Sequence, residues 1–304
     1  MNKRNCKTHK NQFIIKSNVI SRAVRSRDAG IMTMRLFAFG LAKLSDKQYQ
    51  IKKDLIEFNI SLADFVKYYN LSLNQLYEKF EYKNKRRTLI EKEAHIIMNF
   101  TLETRYFDEE NDFDFEHLIK KVSHRKNTGK LFFGIYKEIF DKHFVNQIKN
   151  FTKFYLPYTK FITTKYTWPL YEFLRSYLYV SSKTSKPVVF EHEPMDFKNI
   201  AEILNISINS SYFKDLRHLK NKILESVKKD FKDMDIIMDY EIIKTARKNT
   251  HIKFYTKLNM EKFAQQQKEV YGQTSNNYLD FKNNQSKQIL TNIDKDSQVV
   301  FDKE

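Results

Sequence analysis

Cysteine is all but missing from this chain. Cys6 stands alone, which excludes an internal disulfide and any cysteine-rich zinc site. Glycine and proline are nearly as scarce, at five and four residues in 304, so regular secondary structure should dominate. No apolar run approaches the ~20 residues that cross a bilayer. Near the N-terminus only Phe13-Ile14-Ile15 interrupts a basic stretch. That is shorter than the apolar core of a secretory signal, and the expected location is the cytoplasm, without membrane attachment. None of the eight histidines stands two places from another, so the His-x-His metal pair of rolling-circle nickases is missing. Thr128-Gly129-Lys130 looks like the end of a phosphate-binding loop, but His124 occupies the place of its first glycine and Leu131 that of its Ser or Thr. No metal, cofactor or catalysis is expected.

Acid is also in deficit. Asp and Glu number 37 against 54 Lys and Arg, a formal net charge of +17, which favours a polyanionic partner through counterion release and steering. Nucleic acid heads that class. Hydrophobic residues make up 41% of the chain and aromatics 15%, with 26 Phe and 18 Tyr, enough apolar surface for two cores. The expected class is α+β, predominantly helical, in two domains.

Residues 1–28 hold eight Lys or Arg against the single acid Asp28, and 1–15 read as a basic flexible arm. From Ile31 onward Met34, Leu36, Phe37, Leu41 and Leu44 recur at helical spacing, which predicts a long helix ending before Ser45-Asp46. Residues 50–60 form a candidate strand. Ser61 can cap a helix over 62–69, Asn70-Leu71-Ser72 turns, and a second helix is expected over 73–85, the outline of a helix-turn-helix. Apolar segments at 95–107 and 130–140 read as a long hairpin, completing a first domain over 16–150. An aromatic-rich connection at 150–162 marks the junction.

The order then repeats over 151–258. Helix 168–180 and strand 188–191 come first, followed by helix 197–204 capped by Asp196. A turn at 205–209 leads to a longer helix capped by Ser210 or Ser211 and running to about Phe231. Strands 236–244 and 252–257 close the unit as a hairpin. Helix, strand, helix, helix and hairpin, given twice, describe two tandem winged-helix domains. Residues 259–304 are polar and expected to be a largely disordered tail.

The helix from Ser211 carries an apolar stripe of Phe213, Leu216, Leu219, Ile223, Leu224, Val227 and Phe231 that must pack inward. At ~100° per residue, Ser211, Lys214, His218 and Asn221 fall opposite that stripe, with Arg217 and Lys222 at its flanks. These are donors for phosphates and for base edges, and Arg217 is the candidate for a bidentate guanine contact. Lys244, Arg247, Lys248, Asn249 and Thr250 lie at or near the tip of the following hairpin and would reach the backbone or the minor groove. In the first domain Lys79, Lys83, Lys85, Arg86 and Arg87 cluster late in the second helix. Phosphate contact is one reading of them and compensation of the helix macrodipole another. A merely solvated surface competes with each of these assignments. Asp108, Glu109, Glu110, Asp112 and Asp114 read as an exposed acidic loop rather than a cation site.

Four stretches stand out along the chain: Lys16-Ser17-Asn18-Val19-Ile20, Trp168-Pro169-Leu170-Tyr171-Glu172-Phe173-Leu174, Phe213-Lys214-Asp215-Leu216-Arg217, and Ala246-Arg247-Lys248 with Ile252-Lys253-Phe254. In order and spacing, over about residues 16–258, the chain resembles the initiator Rep proteins of iteron-containing, theta-replicating bacterial plasmids. The resemblance implies two winged-helix domains, the second reading double-stranded iteron repeats and the first serving dimerisation in one state and DNA contact in another. It implies a homodimer in equilibrium with monomer, with monomers initiating and dimers repressing their own gene. A host replication initiator and a replicative helicase would be partners, and the protein itself would catalyse nothing. Lys214, Arg217 and Arg247 stand where the family's pattern places DNA contacts. Two departures are plain: Pro169-Leu170-Tyr171 replaces the usual Arg-Leu-Tyr, and the tail after Asn259 has no family role. Two other readings stay open, a winged-helix transcriptional regulator without a replication role and an origin relaxase. Direct repeats beside the gene would favour initiation, and one inverted repeat over a promoter would favour regulation.

Overall fold

Ile14 and Lys16, two residues apart, share one face of an extended segment, and both are buried. They lie on strand β1 (Phe13–Ser17), which therefore begins inside the stretch assigned to a flexible arm, because Ile14 finds an apolar core. The computed structural model describes residues 13–18, 28–105, 113–145, 151–178, 189–245 and 248–271. Every strand pair among them is antiparallel, so the fold mixes helices and strands as an α+β architecture.

Helix α1 (Ile31–Ser45) is buried on nearly all sides from Thr33 to Leu44. Gly40 eases this packing: a Cβ there would stand 3.2 Å from the Phe58 ring, a close contact that would require the ring to shift. Strands β2 (Tyr49–Lys52) and β3 (Leu55–Ser61) follow as a hairpin, and Ile56, Phe58 and Ile60 point inward from β3 with strand periodicity. The Ser61 hydroxyl accepts from the Asp64 amide at 3.2 Å and starts α2 (Leu62–Tyr68). Asn70 takes a left-handed φ of 53°, and α3 (Leu73–Tyr77) begins.

Here the structure departs from expectation. The helix predicted to reach Lys85 stops at Tyr77, and strands β4 (Lys79–Tyr82) and β5 (Lys85–Thr88) replace its second half. Phe80 and Tyr82 alternate with charged residues at strand period. Lys83 and Asn84 adopt φ of 49° and 59°, the paired positive values that a two-residue hairpin turn demands. Thr88 and Glu91 then satisfy each other's amides, at 3.3 Å and 2.6 Å, in a capping box. Helix α4 (Leu89–Met98) results, and its end takes up the start of the strand expected from His95.

Strands β6 (Thr101–Arg105) and β7 (Phe113–His117) pair with each other. Strand β8 (Lys121–Arg125) turns at Gly129, φ 59°, into β9 (Lys130–Tyr136), and the sheet runs β2-β3-β9-β8. The hairpin expected between 95–107 and 130–140 therefore does not form. Leu131, Phe133 and Ile135 instead match Ile56, Phe58 and Ile60 across β3, and the stacked Phe58 and Phe133 rings, 5.1 Å apart, set that register.

After the short helix α5 (Lys137–Phe140), strand β10 (Phe151–Tyr155) pairs with β1. The second half then runs α6 (Thr167–Arg175), β11 (Phe190–Glu191), β12 (Met195–Asp196) and α7 (Phe197–Ile203). The Asp196 carboxylate caps α7 by accepting from the Asn199 amide at 2.7 Å. Helix α8 (Ser211–Lys214) precedes α9, residues 216–231, which contains a π-turn over Leu219–Leu224. The hairpin β13 (Ile236–Thr245) and β14 (Lys248–Leu258) follows, and then α10 (Met260–Tyr271). That last helix occupies part of the stretch expected to be a polar tail. Its hold is tertiary: Gln266 is buried, and the hydroxyls of Tyr155 and Tyr158 donate to Glu269 and to the Lys262 carbonyl. No helix among the described residues is long and apolar enough to cross a membrane.

The junction is bonded to both halves. The Arg35 guanidinium of α1 donates to the carbonyls of Thr159, Lys160 and Ile162 at 3.2, 3.2 and 3.3 Å. From the other side, Asp230 of α9 accepts from the Thr163 amide and hydroxyl at 2.9 and 2.7 Å and from the Thr167 hydroxyl. Asp235 accepts from the Tyr171 hydroxyl at 2.9 Å and from Arg175 Nε at 3.0 Å. Beneath these, Lys16 of β1 is ion-paired with Glu172 of α6, each side chain 1% exposed, and its Nζ lies 5.1 Å from the Phe154 ring centroid. Removing the cation alone strands a buried carboxylate, so Lys16→Met should lower unfolding free energy by about 3–5 kcal/mol in urea titrations, while Lys16→Met with Glu172→Met should recover most of that loss. Equal destabilisation of single and double variants would refute the pairing argument.

Candidate nucleic-acid interface

One residue, Asp215, divides the segment expected to be one long helix. The Ser210 hydroxyl accepts from the Tyr212 amide at 3.1 Å and opens α8. Asp215 is then extended, φ −125° and ψ 103°, and its carboxylate accepts from the Arg217 amide at 2.9 Å. Aspartate is among the strongest N-caps, so Asp215 ends α8 and starts α9. The helical angular step cannot be carried across that break. Ser211 and Lys214 therefore lie on α8, while His218, Asn221 and Lys222 lie on α9. Within α9 the buried stripe is Leu219, Ile223, Leu224, Val227 and Phe231, whereas Phe213 and Leu216 are only half-buried.

The opposite surface is cationic. Ser211, Lys214, Arg217, His218, Lys220, Asn221 and Lys222 are all exposed. Arg217 is 86% exposed yet already engaged. Its Nε donates to Asp215 Oδ1 at 3.2 Å and its Nη2 to Oδ2 at 3.0 Å. Those side-chain bonds, followed by the Arg217 amide, hold the Asp215 carboxyl below its ordinary range, and the same pair raises the Arg217 guanidinium. No ion pair of Lys214, Lys220, Lys222 or Lys244 occurs among the described residues.

Beside α9 stands the β13–β14 hairpin, in register from Ile236↔Leu258 to Thr245↔Lys248 with an irregularity at Ile243/Lys244. Lys244 is exposed near its end. Lys248, Asn249 and Thr250 begin β14, and Arg247 lies outside the described residues.

In the first half the basic cluster sits on a hairpin and not on a helix end, so compensation of a helix macrodipole does not apply to it. Lys83 occupies the tip, 3.9 Å from Asp28. Arg86 is exposed opposite Glu81, and Arg87 is half-buried with no hydrogen-bond partner for its Nε among the described residues. The hairpin lies across α4. Lys92 Nζ is 5.5 Å from the Phe80 ring and 6.0 Å from that of Tyr82, and Tyr82 meets His95 at 5.8 Å. Thus α4 is covered by its own chain, and the cations above it are what solvent meets.

A second basic hairpin, formed by the basic run 120–130, holds none of the candidate contact residues named from the sequence. Residues 118–137 contain no acid, and β8–β9 exposes Lys121, Arg125, Lys126 and Lys130 around the Gly129 turn. The Tyr77 hydroxyl and His124 Nε2, 3.2 Å apart, link this hairpin to α3. An acid-free run across an Asn-Thr-Gly turn was the available signal. No group of three or more His, Cys, Asp or Glu among the described residues is placed to hold a metal ion; Asp108, Glu109, Glu110 and Asp112 lie outside those residues.

No curated protein matches the chain in sequence. In fold, the chain is similar to a solved structure of the Pi initiator protein in complex with iteron DNA, with a TM-score of 0.57, 16% sequence identity, and coverage of 83% of this chain and 99% of that one. The family model for the initiator replication protein, WH1, matches residues 13–175, more than half of the 304-residue chain. By that match the protein belongs to the initiator replication protein family, and it is a replication initiator.

Proposed function

We propose that this initiator works by gripping repeated double-stranded sites, iterons, at a plasmid origin, through two tandem winged-helix units and without catalysis of its own. One observation carries the reading: the exposed cationic face of α9 stands next to the β13–β14 hairpin, while its apolar stripe is buried. A single helix fits the major groove, and a neighbouring hairpin reaches phosphates or the minor groove beside it. In this arrangement Arg217, His218 and Asn221 face base edges. Lys214, Lys222, Lys244, Arg247 and Lys248 neutralise phosphates, as do Lys83, Arg86 and Arg87 of the first half.

The first half also carries self-association. Strand β2 is an edge of its sheet, and Ile51 on it is 61% exposed, an edge of the kind that pairs with a second chain. The proposal extends to a dimer that represses its own gene, a monomer that initiates, and recruitment of a host replication initiator and a replicative helicase.

Footprinting the full chain on DNA flanking its gene tests the whole reading, with several protected direct repeats as the expected result. Arg217→Ala should weaken binding to cognate duplex about 5- to 150-fold more than to random duplex, the range of one bidentate base contact; equal losses would reassign Arg217 to the backbone. Lys244→Ala should weaken both and reduce the slope of log K against log salt by about 0.9, one phosphate contact. An unchanged slope places that hairpin off the DNA. In sedimentation velocity, Ile51→Lys should shift the dimer to monomer, and a persisting dimer would exclude the β2 edge.

A further inference from the structure

We propose that Asp215 is the specificity-determining positioning residue of this initiator: by holding one edge of the Arg217 guanidinium, it presents the other, end-on, to a guanine edge. The inference deepens the proposed function and rests on α9 docking in duplex DNA.

Arginine has two edges that can make paired hydrogen bonds, one through Nε and Nη2 and one through the two terminal nitrogens. Asp215 occupies the first, at 3.2 Å and 3.0 Å, while also capping α9 through the Arg217 amide at 2.9 Å. The Nη1 hydrogens and the outer Nη2 hydrogen stay available, with the side chain 86% exposed. That terminal edge matches the N7 and O6 acceptors of guanine. A free arginine on a helix surface samples many rotamers and loses that freedom on binding; here the carboxylate has already fixed the plane.

The carboxylate has a second effect. It cancels the Arg217 charge locally, so this residue adds little to sequence-independent attraction while its directional bonds remain. Lysine at position 217 could not substitute, since an ammonium offers a point charge and no second edge.

The test uses the full chain, a duplex enriched by it from a randomised library, and a shuffled duplex of the same composition. Asp215→Asn keeps a capping oxygen but turns an amide donor toward Nη2, and Asp215→Ser keeps a cap with no second acceptor. Each should melt like the wild type and lose about tenfold in discrimination between the two duplexes, with affinity for the shuffled duplex unchanged or raised. Adding Arg217→Lys to Asp215→Asn should cost no further discrimination, and replacing the contacted guanine by 7-deazaguanine should weaken the wild type far more than Asp215→Asn. Wild-type discrimination in both variants, equal losses on both duplexes, or additive losses in the double variant would each overturn the assignment. A wild-type chain that enriches no duplex would instead overturn the proposed function itself.

Discussion

The buried pair of Lys16 and Glu172 ties β1 to α6, the first helix of the second half, across the junction between the halves. Two charges withdrawn from water gain little over an apolar pair of the same size, but either one misplaced leaves an uncompensated charge worth several kcal/mol. The constraint is therefore one of register. A one-residue slip of β1 against β10 would turn Lys16 and Ile14 to the other face and leave Glu172 without its cation. Because β10 leads directly into the segment bonded by Arg35 on one side and Asp230 on the other, fixing β1 also fixes the relation between the two halves.

That relation determines which basic surfaces can act together. The first half offers two hairpins, β4–β5 and β8–β9, and the second offers α9 with β13–β14. In the first half the helix that could have entered a groove, α4, is overlaid by Phe80 and Tyr82, and its first turn holds Glu91. Around α4 the exposed cations cluster on the hairpins, at Lys83, Lys85 and Arg86 and at Lys121, Arg125, Lys126 and Lys130, which suits contact with a backbone. In the second half the helix itself is open. In the function proposed above, one half positions and the other discriminates, the division of labour by which proteins hold and read DNA.

Charge and direction separate in the same way at the level of single residues. Lysines on flexible stems at positions 214, 220, 222 and 244 supply attraction that salt weakens. Arg217 is different because Asp215 already holds it, so in the proposed contact it would contribute geometry more than net charge.

Much of this was legible in the sequence. The helix beginning at Ile31, the Asp196 cap, the Asn205 turn and the strands from Ile236 to Leu258 follow from apolar period and local cap chemistry, which act over a few residues. The apolar stripe of α9 and the exposure of Lys214, His218, Asn221 and Lys222 are of the same kind. Other local features override the apolar period around them: the Thr88–Glu91 box starts α4, and Asp215 divides a segment whose apolar spacing is continuous. By itself, then, the sequence determined the mixture of helices and strands, most elements of the second half and the basic character of the surface, because period, capping and charge are properties of neighbouring residues. Only the tertiary structure decided that β9 pairs with β3, that β1 joins β10, that α10 folds onto Tyr155 and Tyr158, and that β4–β5 lies over α4. Those contacts join residues far apart in the chain, and their free energy comes from shared burial that no single segment encodes.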